Sequence, residues 1–322
     1  MVSRRLPLIL AGSCSAVLLG GSMGEATPRA TTGQSVPAAT RVQQHAVHQG
    51  WLSSAARKQK LLYVSDYTES LVLIYAQGAE GSGPIGEIVN GLSSPQGIAV
   101  DKSGTLYVAN QGNNTVTEYP AGSIDPSVTL STDISEPLDV SVDSNGVLYV
   151  GESSADTILE FRPGSTSPDT TISVTHPSEL TNSKNDDLYL TYNLHFSSNG
   201  GYVEHCKPLK TKCKNRGIST GFAQGIAIDS KGNLLVGDVY NEVIDIFAPG
   251  QTSPSRTIAT KNQEPGKLAL DATDTTLYMA DPANFAVELY DYATGTQTGS
   301  FTYGPADELE GVALFPGQKP GR

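Results

Sequence analysis

From residue 61 onward, short apolar runs recur at a nearly constant interval. Leu-Tyr-Val or a close variant stands at Leu62-Tyr63-Val64, Leu106-Tyr107-Val108, Leu148-Tyr149-Val150, Leu188-Tyr189-Leu190, Leu234-Leu235-Val236 and Leu277-Tyr278-Met279. The steps between them are 44, 42, 40, 46 and 43 residues. Runs this short, apolar on both faces and bounded by turn residues, predict strands buried on both sides. A period of 40–46 residues built from such strands predicts a β-propeller with one four-stranded blade per repeat.

A second apolar run precedes each of these strands. It reads Gly97-Ile98-Ala99-Val100, Asp139-Val140-Ser141-Val142, Gly225-Ile226-Ala227-Ile228, Lys267-Leu268-Ala269-Leu270 and Gly311-Val312-Ala313-Leu314, with a weak version at Glu179-Leu180-Thr181-Asn182. The turns between the two runs open with Asp101, Asp143 and Asp229 and close with Gly104, Gly146 and Gly232. Aspartate two to three residues before glycine is expected to bond its own backbone rather than a metal. A third run ends in an aromatic residue and a Pro/Gly turn, as at Tyr119, Phe161 and Phe247. A Thr/Ser-rich fourth run closes the unit.

The count is therefore six blades over residues 61–317. The chain enters the first blade at Leu62-Tyr63-Val64, and its missing inner strand is supplied by Gly311 to Leu314. That pairing removes the open edges that invite aggregation. The expected fold class is all-β: a six-bladed β-propeller, four strands per blade, with the first blade closed by the C-terminal strand. The tyrosine column is expected to pack between blades.

Outside the repeat, residues 1–26 carry Arg4 and Arg5, an apolar run from Leu6 to Leu19 and then small residues, the layout of an export signal. Residues 27–60 are polar and aperiodic, a flexible leader in which only Trp51-Leu52 is expected to touch the propeller; residues 318–322 form a tail. The mature protein is thus expected outside the cytoplasm, secreted or periplasmic, with no membrane span and as a monomer. Loss of the signal removes Cys14 and leaves Cys206 and Cys213, an even pair that reads as a disulfide in an exported chain. So short a loop adds no more than about 2 kcal/mol.

The pattern from Pro95 to Tyr119, P-x-G-I-A-V-D followed by G-x-L-Y-V-A-N and N-x-V-x-x-Y, resembles NHL-repeat propellers. It is also similar to the six-bladed SMP-30/gluconolactonase-like group. The likeness extends over about four fifths of the chain. It implies the propeller fold, and it allows either a binding module or a metal-dependent lactonase, because function on such a fold resides in grafted sites. In the enzymes a Glu, an Asn pair and an Asp at the starts of inner strands hold the metal. Here Glu310 stands in the column of that glutamate. The asparagines are absent, and the other columns read Gln96, Asp139, Glu179, Gln224 and Lys267.

Charge narrows the partners. The formal net charge is −12, with 21 Lys and Arg against 33 Asp and Glu, which disfavours nucleic acid. Many of the acids fall in loops that a propeller gathers on one face. From strand ends and the loops after them come Asp66, Glu152, Asp238 and Asp281, joined by Asn110 and by His195 of the fourth blade. Before the inner strands come Glu136, Asp139, Glu179, Glu264, Glu308 and Glu310, with Lys267 as the single basic residue. Three readings remain open: a solvated surface, a face binding a cationic protein or envelope component, or a Ca²⁺ site built from Glu310, Glu179 and Asp139. His176 with Glu179 is a weak acid–base candidate. A basic hairpin, Cys206 to Arg216, is expected on the opposite face. The favoured function is a non-catalytic binding module, with the metal-dependent hydrolase as the alternative.

Overall fold

The computed structural model describes residues 50–54, 56, 59–194, 197–207, 211–304 and 308–315. The expected signal peptide, most of the leader, His195 and the tail lie outside the described residues. All six sheets are antiparallel and arranged as blades.

Blade one orders β1 (Trp51–Leu52), β4 (Gly86–Ile88), β3 (Leu71–Ala76), β2 (Leu61–Asp66) and β25 (Leu309–Phe315) from rim to centre. Blade two holds β5 (Pro95–Val100), β6 (Leu106–Asn110), β7 (Thr115–Tyr119) and β8 (Val128–Leu130). Blade three holds β9 (Pro137–Val142), β10 (Leu148–Glu152), β11 (Thr157–Phe161) and β12 (Thr170–Ser173). Blade four holds β13 (Pro177–Asn182), β14 (Leu188–Asn193), β15 (Gly201–Cys206) and β16 (Lys214–Thr220). Blade five holds β17 (Ala223–Ile228), β18 (Leu234–Asp238), β19 (Val243–Phe247) and β20 (Arg256–Ala259). Blade six holds β21 (Leu268–Leu270), β22 (Thr276–Asp281), β23 (Ala286–Asp291) and β24 (Thr296–Phe301).

The inner strands β5, β9, β13, β17, β21 and β25 touch one another in turn and close a ring. Closure falls where the repeat places it: β25 pairs with β2 in the register Leu62↔Leu314 and Val64↔Val312. Two positions show how narrow the centre is. A Cβ on Gly97 would lie 1.9 Å from Asp139 Oδ1, and one on Gly225 would lie 1.9 Å from the Gly266 carbonyl. The glycine that opens the inner-strand pattern is thus demanded by the neighbouring blade.

The core sits between blades. Tyr63 packs with Ile98, Leu106 and Tyr119 of blade two, Tyr107 with Val140 and Leu148 of blade three, and Tyr278 with Leu62 and Val64 of blade one. The tyrosine column is therefore inter-blade packing, and burial pushes the Tyr63 phenol up to about 12. The turn aspartates behave as expected too. Asp101 Oδ1 accepts from the amides of Ser103 and Thr105, both at 2.8 Å, and Asp143 and Asp229 repeat the arrangement.

One boundary differs from expectation. Trp51 and Leu52 pair with Glu87 and Gly86 as a fifth, outermost strand of blade one, and Ala56 is buried. The end of the leader is therefore part of the sheet. The sequence hides this because two residues are too few to show alternation.

Candidate functional site

Six polar residues end the second strands of the six blades: Asp66, Asn110, Glu152, Asn193, Asp238 and Asp281. Five of them were expected on the binding face, and the structure corrects this. Asp66, Asn110, Glu152, Asp238 and Asp281 are all buried. Four of them clamp backbone at the entry to their own blade, and Asp66 clamps the loop that follows its strand. Asp238 accepts from the amides of Gly221 (2.6 Å), Phe222 (3.1 Å) and Asn241 (3.1 Å) and from Asn241 Nδ2 (2.7 Å). Glu152 accepts from the Ser135 amide (2.6 Å) and the Thr157 hydroxyl (2.7 Å). Asp281 accepts from the Glu264 amide (2.9 Å) and Asn284 Nδ2 (2.7 Å). Asn110 Oδ1 accepts from the Ser93 amide at 3.2 Å, and Asp66 Oδ1 from the Glu69 amide at 2.9 Å. The signal was in the sequence: a polar residue at the same place in every repeat serves the repeat. Buried acceptors facing loop amides satisfy groups that the strands leave unpaired.

His176 also differs from expectation. Its Nδ1 lies 2.8 Å from Asp156 Oδ1, and its ring is exposed. The backbone there has φ of 35°, as Ser94 and Glu136 have 44° and 47° in the matching positions before Pro95 and Pro137. His176 is thus a recurrent turn position, and Glu179 is not its partner.

Glu179 and Asp139 do come together, around a lysine. Lys267, just ahead of β21 in blade six, sends its ammonium across the ring. Nζ donates to Asp139 Oδ2 of blade three and to the Leu180 carbonyl (3.3 Å), and it lies 2.9 Å from Glu179 Oε2. The Leu180 amide donates to the same Asp139 oxygen at 2.7 Å. Asp139 is fully buried and Lys267 nearly so. Lys267, expected among the charges of the face, is interior. Two carboxylates face one ammonium, so the site carries a spare negative charge. Burial, then the charge of Asp139, raises the Glu179 carboxyl well above its usual range. Burial alone would lower the Lys267 pKa, but Asp139 and Glu179 outweigh it and raise it.

Glu310, the third residue of the expected Ca²⁺ set, sits elsewhere. Its charged neighbours are Glu308 and Glu264; burial first, then these two, push its carboxyl up to about 8. Glu264 rises to about 7 through burial and then Asp281. Among the described residues no group of three His, Cys, Asp or Glu is placed to hold a metal ion. The ammonium of Lys267 fills the space between Asp139 and Glu179 that a cation would take.

The face bearing the loops from second to third strand and from fourth to next first strand presents Glu69, Asp133, Glu242 and Lys261 as exposed charges. Among the described residues, four large apolar side chains are exposed. Three of these, Leu194 (57%), Phe285 (36%) and Tyr303 (38%), belong to loops of this face. Sequence reading missed all three, because each sits in a loop outside the strand pattern.

On the opposite face, Cys206 at the end of β15 is bonded to Cys213, just ahead of β16, with Cα atoms 4.2 Å apart. The pair packs into the apolar cluster between blades three and four, with Tyr149, Ile172 and Leu188. Residue Lys212 of the same loop bridges to Ser173 of β12, so the stapled hairpin also reaches the rim of blade three. No described helix is long and apolar enough to cross a membrane.

Comparisons with known proteins agree with this architecture. Residues 92–119 match the NHL repeat family. A chain from the crystal structure of a nidogen/laminin complex superposes with a TM-score of 0.67 at 14% identity, covering 79% of this chain and 98% of that one. A chain of Kuenenia stuttgartiensis hydrazine synthase superposes with a TM-score of 0.58 at 15% identity, covering 76% and 85%. No curated protein sequence matches the chain. At such identities the likeness is one of fold, and the protein is a six-bladed β-propeller that carries an NHL repeat at residues 92–119.

Proposed function

We propose that this propeller is an exported binding module that holds a protein partner on its loop face. The observation that carries the reading is the exposure of Leu194, Phe285 and Tyr303 on that face, together with the charges of Glu69, Asp133, Glu242 and Glu308. Exposed aromatic and aliphatic side chains in a charged surround are the make-up of a protein-binding patch. Its partner is an apolar surface rimmed with Lys and Arg, steered in by the acids. The disulfide and the export-like N-terminus support an extracytoplasmic address. The neighbour of similar fold in a nidogen/laminin complex supports a protein partner. Lys267, paired with Asp139 and Glu179, weighs against the lactonase-type alternative.

The test is affinity capture from the producing cell's extracytoplasmic fraction with the wild type and two variants. One variant carries Leu194→Asp and Phe285→Asp on the loop face; the other carries Lys184→Glu on the opposite face. A single protein retained by the wild type and Lys184→Glu, and lost with the loop-face variant, supports the reading. Retention that is indifferent to the loop-face substitutions removes it.

A further inference from the structure

The face opposite the loops opens into a cavity of about 410 Å³, bounded by the turns of blades three, four and five and continuing to Lys267 at the ring centre. Its walls mix polar and apolar residues, with Val142 and Ile228 as partly exposed apolar ones among them. Cavities of this size fall in the range of small-molecule sites.

Two of the polar groups here are buried donors without acceptors. Arg216 lines the cavity; its Nε is shut off from water and has no hydrogen-bond partner. Asn182 lines it as well. Its Oδ1 accepts from Ser141 Oγ, while its buried Nδ2 has no partner. Lys184 and Lys231 stand on the turns of blades four and five at the mouth. Among the described residues none of Arg216, Lys184 and Lys231 forms an ion pair, in a chain where acids outnumber bases 33 to 21. The acids at the cavity are already engaged. Asp143 and Asp229 bind the amides of their own turns, and Asp187 is held by His205 and Lys207. Unsatisfied buried donors are costly, and three unspent cations beside them define what would satisfy them.

We infer that this cavity is a binding site for a small organic carboxylate with an apolar body. The carboxylate sits with Arg216, whose planar donors suit it, and the mouth lysines add charge. The apolar part lies against Val142 and Ile228. The site does not depend on the loop face, which lies at the other end of the ring.

Titration calorimetry of the full disulfide-bonded chain tests this with three probes: 3-phenylpropionate, its neutral amide, and sulfate. The expected result is one carboxylate site, with the amide at least about tenfold weaker, a margin set by loss of a charged hydrogen-bonded pair. Sulfate, lacking an apolar body, should not compete at the same concentration. Arg216→Gln should weaken the carboxylate about tenfold without moving the thermal unfolding midpoint, and Lys231→Gln should weaken it less. Equal binding of acid and amide overturns the inference. So does an absence of heat up to about 10 mM, or an Arg216→Gln protein of the same melting temperature that binds as the wild type does.

Discussion

Lys267 Nζ and Asp139 Oδ2 meet across the centre of the ring from blades that face each other, 128 residues apart in the chain. Blade six is thereby pinned to blade three, and through Glu179 to blade four. Each blade otherwise packs mainly on its neighbours, so a link across the diameter couples parts that local contacts leave separate.

Lys267→Met should destabilise the fold by about 3–5 kcal/mol at pH 7, because it leaves Asp139 charged, buried and unpaired. The double variant Lys267→Met, Asp139→Asn should recover most of the loss. Urea unfolding of the three proteins at pH 7 checks this, and a single variant as stable as the wild type would remove the pin.

Glu310 and Glu264 predict a pH dependence of stability. Their folded carboxyls are raised, to about 8 and about 7, above the unfolded value near 4.5. The folded state therefore binds more protons between those values, and stability falls as pH rises from about 5 to 8. Glu310→Gln should flatten the slope. At pH 8 it should exceed the wild type by on the order of 1–2 kcal/mol, because the Glu310 side chain is partly exposed, and at pH 5 the two should coincide. Thermal unfolding across pH 5–8 reads this directly.

Asp238 is a clamp, and its removal should be felt in folding. Asp238→Ala strips acceptors from three backbone amides and should cost about 3 kcal/mol. The exposed Glu69→Ala should change stability by less than about 0.5 kcal/mol. Chemical denaturation of both distinguishes a strand-end clamp from a ligand-facing acid.

The Cys206–Cys213 bond anchors the strand that carries Arg216 three residues later. Replacing both cysteines by serine should lower stability by about 2 kcal/mol. Faster amide exchange should be confined to β15, β16 and the neighbouring rim of blade three. Mass spectrometry of the exported chain should show two fewer hydrogens before reduction than after, and two free thiols would contradict the bond.

The architecture was legible because a propeller writes its plan locally. Leu-Tyr-Val, Gly-Ile-Ala-Val and the Asp-to-Gly turns each specify a strand or a hairpin within a dozen residues, and repetition multiplies a weak signal sixfold. Even ring closure by β25 followed from counting strands at the two ends. What the sequence could not order was depth. Asp66, Glu69, Asp238 and Glu242 are all acids near strand ends, yet Asp66 and Asp238 are buried clamps while Glu69 and Glu242 are exposed. Recurrence by column separates them in hindsight, but only packing shows which amides lack partners. Lys267 is the sharper case. Its partners Asp139 and Glu179 belong to other blades, far from it in the chain. Closing six blades into a ring brings all three to one point, so the identity of that site, unlike that of the strands, was decided only by the tertiary structure.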